Sequence, residues 1–180
     1  MRAARPPQLS ALVLGGANSL EKDKAQALEL FEPHLIIACN HAGRDEVGRV
    51  DHWVTMHPDL MPMWLAARKA AGRPAPGKLW HARHRPSGLD STQIESWGGS
   101  SGLLCVAVAF ELGVQRIVLA GVPMRKTFDH YDKLGPWNEA REYWPRWEFH
   151  RPKMVDRVRS CSGWTQELLG SPTREWLHGD

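Results

Sequence analysis

The chain has 180 residues, with 42% hydrophobic residues, 24% charged residues and a formal net charge of +3. These values are typical of one globular domain, and no run approaches the roughly 18 apolar residues of a membrane span. Three cysteines without a CxxC pair argue against a disulfide framework or a zinc knuckle, and the basic excess is too sparse to favour nucleic acid. The N-terminus also lacks the apolar core of a signal peptide, so we expect a cytoplasmic protein that binds neither membranes nor nucleic acid.

The first half of the chain alternates short apolar runs with helical patterns. Residues 11–14 form an apolar run that ends at two glycines, as buried parallel strands do. Residues 19–31 have helical spacing, with Ser19 as a candidate N-cap and Pro33 closing the segment. Further strands are predicted over 35–39, 52–56 and 78–82, with a helix ending near residue 71.

The second half contains one clear helix–strand pair and a region rich in tryptophan. We predict a loop over 83–99, a helix from Ser100 to residue 112, and a strand over 116–121. The region 122–152 is rich in Trp, Pro and charge, which indicates a cover over an active site. A helix or strand returns near 153–158, and 163–180 is ambiguous.

This alternation predicts a Rossmann-like α/β three-layer sandwich with a mainly parallel sheet and a Trp-rich C-terminal lid. We expect a single domain over 1–180, with a core over 9–122, a lid over 123–152 and an extension over 153–180. Ligands of such folds lie beyond the carboxyl ends of the strands. The residues that follow the strands are therefore the candidates for function.

Each of these candidates has a functional and a purely structural interpretation. The turn Gly15-Gly16-Ala17-Asn18-Ser19 could hold a phosphate at a helix N-terminus or only let strand and helix pack. Ser100-Ser101-Gly102 could share a helix N-terminus with an anion or only cap the helix. Asn40 could contact a base or ribose or form an Asx turn. Asp59 could be a ligand or an N-cap, and its spacing from His57 is not that of a metal site.

The candidate general bases are His81, His84, His130 and His150, of which the last two lie in the predicted lid. His130 lies in a segment with Tyr131 and two aspartates, beyond the fifth predicted strand. Histidine titrates near neutrality, and a neighbouring carboxylate could orient the ring. His150 is a second candidate, and Tyr131 could stabilise charge on a leaving phosphate.

In combination, these motifs resemble a known group of proteins. A glycine turn, a strand ending in Cys39-Asn40, a strand followed by His57-Pro58-Asp59, and Ser100-Ser101-Gly102 before a strand ending in Gly121 occur in order. This looks like the Rossmann-type families around bacterial CMP-sialic-acid-dependent sialyltransferases and archaeal 6-hydroxymethylpterin pyrophosphokinase-like proteins. The compact form also resembles small phage and prophage proteins.

The resemblance implies a nucleotide site and a class of reaction. In the sialyltransferase-like members, the turn, the Asn and the Ser/Thr-Gly segment hold the nucleotide. By matching motif the implied residues are Gly15, Gly16, Ala17, Asn18, Ser19, Asn40, Ser100, Ser101 and Gly102. The chain departs from the family at Ala17-Asn18, where the family has Pro, and at Pro123, where it has an acid.

The expected function is nucleotide or nucleotide-sugar binding, with metal-independent glycosyl transfer from a CMP-linked donor as the leading hypothesis. One alternative is ATP-dependent pyrophosphoryl transfer, which would need Mg²⁺ and carboxylates such as Asp59 and Asp129. Another is a module that binds or senses nucleotides without catalysis. A homo-oligomer is compatible with each of them.

Overall fold

The computed structural model describes residues 8–83, 88–125 and 139–179. Within them, seven strands form one all-parallel sheet in the order β5-β4-β3-β2-β1-β6-β7. The strands are β1 (Ser10–Leu14), β2 (Leu35–Cys39), β3 (His52–Thr55), β4 (Lys78–His81), β5 (Thr92–Gln93), β6 (Arg116–Ala120) and β7 (Val158–Ser160). The helices are α1 (Leu20–Leu30), α2 (Asn40–Asp45), α3 (Met61–Ala70), α4 (Ser101–Glu111), α5 (Ala140–Met154), α6 (Gly163–Leu169) and α7 (Arg174–His178), with a 3₁₀ helix over Pro58–Leu60.

Helices cover both faces of the sheet, so the predicted three-layer α/β sandwich is confirmed. Alternate residues of β1 supply the two cores: Ala11 and Val13 pack on one face, Leu12 and Leu14 on the other. The first face is covered mainly by α4 and α5, and the second by α1, α2, α3 and α7. Helix α4 is buried over eight of its 11 residues, which explains its nearly unbroken apolar sequence.

The order of the strands reverses at β1. From β1 the chain moves through β2, β3 and β4 in one direction, and β6 and β7 then add to the opposite side. The carboxyl ends of β1 and β6 therefore flank a topological switch point, the position where open α/β sheets bind ligands. Leu14 is paired with Ala120 at this end of the two strands.

The sequence predicts a cover over 123–152, but the described part of that region includes α5, a 15-residue helix that packs on the sheet. Its buried residues are Ala140, Trp147, His150 and Met154, spaced by three to seven positions along one helical face. Two prolines inside the helix and many exposed charges conceal this stripe in the sequence. Residues 126–138 of the predicted cover lie outside the described residues.

Four short elements in the second half of the chain are added to the sequence prediction. β5 lies inside the predicted loop 83–99 and has only two residues, so the sequence contains no apolar run that would predict a strand there. β7 extends the sheet beside β6, from within the predicted C-terminal extension. Helices α6 and α7 occupy the ambiguous tail. In the described ranges, we find no helix with the length and apolar character needed to cross a membrane.

Candidate functional site

The glycine turn after β1 lies against the end of β6. The amide of Gly15 donates to the carbonyl of Ala120 at 2.8 Å, and the amide of Ala17 donates to the carbonyl of Gly121 at 3.1 Å. A Cβ added to Gly15 would lie 2.2 Å from the Gly121 oxygen. Only glycine fits where the two backbones come this close. The turn and the end of β6 therefore pack directly against each other at the switch point.

Val122 packs between the Gly15 turn and the start of α4. Its two methyl groups lie 2.5 Å from a Cβ built on Gly15 and 2.7 Å from one built on Gly102. Both glycines therefore allow close packing on one valine. As a result, two motifs separated by more than 80 residues in the sequence meet at the carboxyl edge of the sheet.

Asn40 connects three elements at the same edge. Its Nδ2 donates to Ser101 Oγ at 3.1 Å, its Oδ1 accepts from Thr55 Oγ1 at 2.8 Å, and its carbonyl accepts from Trp53 Nε1 at 2.9 Å. Its φ is +47°, a left-handed conformation that Asn adopts more readily than most residues. Each of the two amide contacts uses one donor or one lone pair, so an N–H and a lone pair of the side chain have no partner among the described residues and can bind a ligand.

The two serines at the start of α4 have different roles. Ser100 is buried, and its Oγ accepts from the amide of Leu103 and from Trp147 Nε1, so it acts as the helix N-cap. Ser101 is half-buried, and its hydroxyl contacts Asn40. The helix cap that the sequence allowed for Ser100 is present, and Ser101 is the hydroxyl that faces the Asn40 side chain.

Backbone N–H groups at this edge suit an anion. Among the hydrogen bonds of the described residues, none uses the amide of Gly16, Asn18 or Ser19. The first amides of a helix such as α4 also lack intrahelical acceptors. Together with the positive end of the helix dipole, these donors favour a phosphate or carboxylate.

A buried carboxylate that the sequence analysis missed supports the turn. Asp23 is 2% exposed, and its Oδ2 accepts from Ser19 Oγ at 2.9 Å, from Ser162 Oγ at 2.6 Å and from the Gly121 amide at 2.9 Å. It therefore ties α1, the end of β6 and the segment after β7 together. Burial, with a smaller effect of Asp23, raises the pKa of Cys161 to about 12. The pattern Ser19-x-x-x-Asp23 in the first turn of a helix was the available signal.

The same contacts correct the prediction for Ser19. It occupies the N-cap position of α1, but its side chain makes no capping hydrogen bond. Its hydroxyl binds Asp23 instead, because the backbone at Ser19 is already helical (φ −78°, ψ −7°) and directs the chain into the helix.

Asp59 stands apart from this cluster. It is exposed in the 3₁₀ helix after β3, and the N-cap positions there belong to His57 and Leu60. Thr55, rather than His57 or Asp59, contacts Asn40 from this strand end. Across the described ranges, no group of three or more His, Cys, Asp or Glu side chains is arranged to hold a metal ion.

His150, which we predict as a candidate general base, is buried in α5. The ring is 7% exposed, stacks on Trp97 at 4.8 Å, and its Nε2 contacts the Trp97 carbonyl at 2.9 Å. Trp97 also contacts Phe110, in the last turn of α4. Trp97 lies three residues before the N-cap Ser100, and Trp147, one turn before His150 in α5, donates to Ser100 Oγ, so His150 packs beside the segment that leads into α4. His84, His130 and Tyr131 lie outside the described residues.

The fold and this edge define a Rossmann-like α/β protein whose polar groups converge at the switch point of the sheet. Solved structures share this architecture. The sialyltransferase CstII from Campylobacter jejuni in complex with CMP-3FNeuAc has a TM-score of 0.61 and 12% identity, over 92% of this chain and 86% of that one.

Two further structures give the same result. CstII from Campylobacter jejuni with cytidine-5'-monophosphate has a TM-score of 0.62 and 13% identity, over 92% of this chain and 85% of that one. CST-II with a trisaccharide acceptor and CMP has a TM-score of 0.60 and 13% identity, over 92% and 87%. The chain therefore has a sialyltransferase-like fold. Neither a protein-family model nor a curated protein sequence matches it.

Proposed function

We propose that the carboxyl edge of the sheet binds a nucleotide or nucleotide sugar and that the protein transfers a glycosyl group without a metal ion. The observation that carries the proposal is the contact between Asn40 and Ser101, 61 residues apart in the sequence. It brings the end of β2 to the N-terminus of α4, beside the Gly15–Ser19 turn. The sialyltransferase structures of the same fold contain CMP and a CMP-sugar analogue, which supports a cytidine nucleotide as the first ligand to test.

In this proposal, different residues at this edge of the sheet bind different parts of the nucleotide. The amides of the turn and the first turn of α4 bind the phosphate, and the remaining donor and acceptor of Asn40 bind the base or ribose. Ser101 adds a hydroxyl beside the phosphate, and Ser100 holds the helix start in place. Asp59 contributes only if the ligand reaches the exposed end of β3.

The chemistry follows from this placement. The oxygen of an acceptor hydroxyl attacks the anomeric carbon of the donor, and the bond from that carbon to the phosphate oxygen breaks. The nucleotide leaves with the electron pair, and its growing negative charge is stabilised by the N-terminus of α4. The acceptor proton passes to a general base, for which His130 and His150 are our candidates, and Tyr131 is our candidate for stabilising the leaving phosphate.

A thermal-shift panel tests the proposal. It compares CMP, UDP, GDP and ADP with their sugar-linked forms, each with EDTA and with Mg²⁺. A ligand at a hundredfold its dissociation constant should add about 2.7 kcal/mol of stability. We expect Asn40→Ala and Ser101→Ala to weaken binding at least about tenfold, a loss of 1.4 kcal/mol, and Ser171→Ala, at an exposed site after α6, to leave it unchanged. No shift with any nucleotide would refute the proposal.

The same panel distinguishes the alternatives. Binding and turnover of ATP that require Mg²⁺ would favour the pterin pyrophosphokinase-like reaction, which the structures named above do not support. Binding without hydrolysis or transfer of any donor would favour a nucleotide-sensing module. Slow release of CMP from a CMP-sugar in EDTA would favour the transferase.

A further inference from the structure

Two tryptophans form an open groove at the same edge of the sheet. Trp144 of α5 and Trp164 of α6 have ring centroids 5.4 Å apart and an interplanar angle of 58°, so the indoles make a wedge. The wedge lines a groove of about 340 Å³ together with Glu167 and Leu168. Both rings are half-buried, which leaves part of each surface accessible.

The groove lies close to the candidate nucleotide site. The amide of Trp164 donates at 2.8 Å to the carbonyl of Pro123, in the segment that leaves β6. Next to Trp144, the Tyr143 carbonyl is 3.5 Å from a Cβ built on Gly99, the residue before the N-cap of α4. The groove therefore borders both the end of β6 and the start of α4.

The indole N–H groups of the wedge are available for a ligand. Nothing in the described ranges accepts a hydrogen bond from Nε1 of Trp144 or Trp164. By contrast, Trp53, Trp80 and Trp147 donate to Asn40, His52 and Ser100. The Nε1 atoms of Trp144 and Trp164 are not among the buried atoms without a partner, unlike Trp64 Nε1, so they can donate to a ligand at the surface.

Glu167 is the charged side chain among the four residues that line the groove. Glu167 forms an ion pair with Arg125, and the carboxylate remains 64% exposed. The rim thus offers an exposed carboxylate, which accepts hydrogen bonds from hydroxyl groups and disfavours an anionic ligand.

We propose that the groove formed by Trp144, Trp164, Glu167 and Leu168 binds a neutral saccharide. A pyranose ring has an apolar C–H face that packs on an indole and a rim of hydroxyl groups that pair with Glu167 and the indole N–H groups. Because the groove borders the end of β6 and the start of α4, it is placed to present this sugar as the acceptor of glycosyl transfer. That role rests on the proposed function, whereas saccharide binding itself does not.

Saturation-transfer difference NMR on the full chain tests the groove. The probes are lactose and the methyl glycosides of galactose, glucose, N-acetylglucosamine and mannose. We expect transfer to ring C–H protons of at least one probe, and an affinity reduced at least tenfold in Trp164→Ala and Trp144→Ala and severalfold in Glu167→Gln. Phe149→Ala removes a 70%-exposed aromatic of α5 outside the groove and should change nothing.

Nucleotide binding, measured on the same variants, separates the two proposals. If the tryptophan variants keep the thermal shift with CMP but lose the saccharide, the groove is a separate subsite. Trp144→Phe and Trp164→Phe, which keep a ring but remove the N–H, provide the test if an alanine variant fails to fold, and should weaken binding by an intermediate factor. No transfer to any probe, or an affinity for the saccharide that is unchanged in both alanine variants or in both phenylalanine variants, overturns the inference. Saccharide binding without any nucleotide binding would refute the proposed function and would still support a saccharide site in the groove.

Discussion

Replacement of Asp23 by alanine removes the acceptor that joins α1 to the ends of β6 and β7. Asp23 Oδ2 accepts three hydrogen bonds, from Ser19 Oγ, Ser162 Oγ and the Gly121 amide. The two hydroxyl groups lie 3.3 Å apart and can pair with each other after the change. The buried amide of Gly121 has no such replacement, because a backbone N–H cannot turn away.

The cost of Asp23→Ala follows from this one unpaired group. A hydrogen bond to a charged acceptor contributes about 1.5–3 kcal/mol, and a buried donor left alone costs a similar amount. We therefore expect a decrease of about 2–3 kcal/mol in the free energy of unfolding, with a smaller loss for Asp23→Asn, which keeps one carbonyl oxygen.

Urea unfolding followed by far-UV circular dichroism measures this change, provided that the slope of the unfolding free energy against urea concentration is the same in both proteins. Asp90→Ala removes an exposed aspartate in a loop and is the matched control, with an expected change below about 0.5 kcal/mol. A loss below about 0.5 kcal/mol in Asp23→Ala would refute our account of this carboxylate.

Three further predictions concern stability and reactivity. Gly15→Ala should cost about 2 kcal/mol in urea unfolding and weaken nucleotide binding, because the new Cβ would lie 2.2 Å from the Gly121 carbonyl oxygen. Burial lowers the pKa of His52 from its usual value of 6.5, and its Nδ1 accepts from Trp80 Nε1. The unfolded chain therefore binds the proton more tightly than the folded protein does. We expect the free energy of unfolding to decrease as the pH drops below about 6.5. Cys161 should react with iodoacetamide at pH 8 far more slowly in the native protein than in urea, because burial raises its thiol pKa to about 12.

Each of these predictions has a control. Gly48→Ala meets only the flexible end of Glu46 and should be nearly neutral, so equal losses at both glycines would contradict the steric argument. His52→Gln should flatten the decrease in stability at low pH, and an unchanged profile would show that other groups cause it. Fast modification of Cys161 in the native protein would show that the segment after β7 opens readily.

The sequence was sufficient to predict the parallel sheet because its central strands are apolar on both faces. β1, β2 and β6 are recognisable as continuous apolar runs that end at Gly or Asn. α5 could not be predicted because Pro145 and Pro152 interrupt its pattern, and its buried stripe is visible only once the neighbouring core is known. β5 pairs with β4 through two polar residues, so only tertiary contacts define it.

The candidate site was predictable in position and less so in detail. The order of the glycine turn, Asn40 and Ser101 indicated one edge of the sheet, because parallel strands end there together. The support from Asp23 depends on Ser162, 139 residues away, so local patterns do not reveal it. The wedge of Trp144 and Trp164 likewise forms between two helices that the sequence assigned to a cover and an ambiguous tail.

The most direct test of the central claim maps the nucleotide on the backbone by NMR. In a titration of the ¹⁵N-labelled protein with CMP, we predict that the largest amide shifts occur at Gly16, Asn18, Asn40, Ser101 and Gly102. The same titration of Asn40→Ala should need at least about tenfold more CMP to reach half saturation. Saturable shifts confined to another surface, or no shifts at millimolar CMP, would contradict a nucleotide site at the switch point of this sheet.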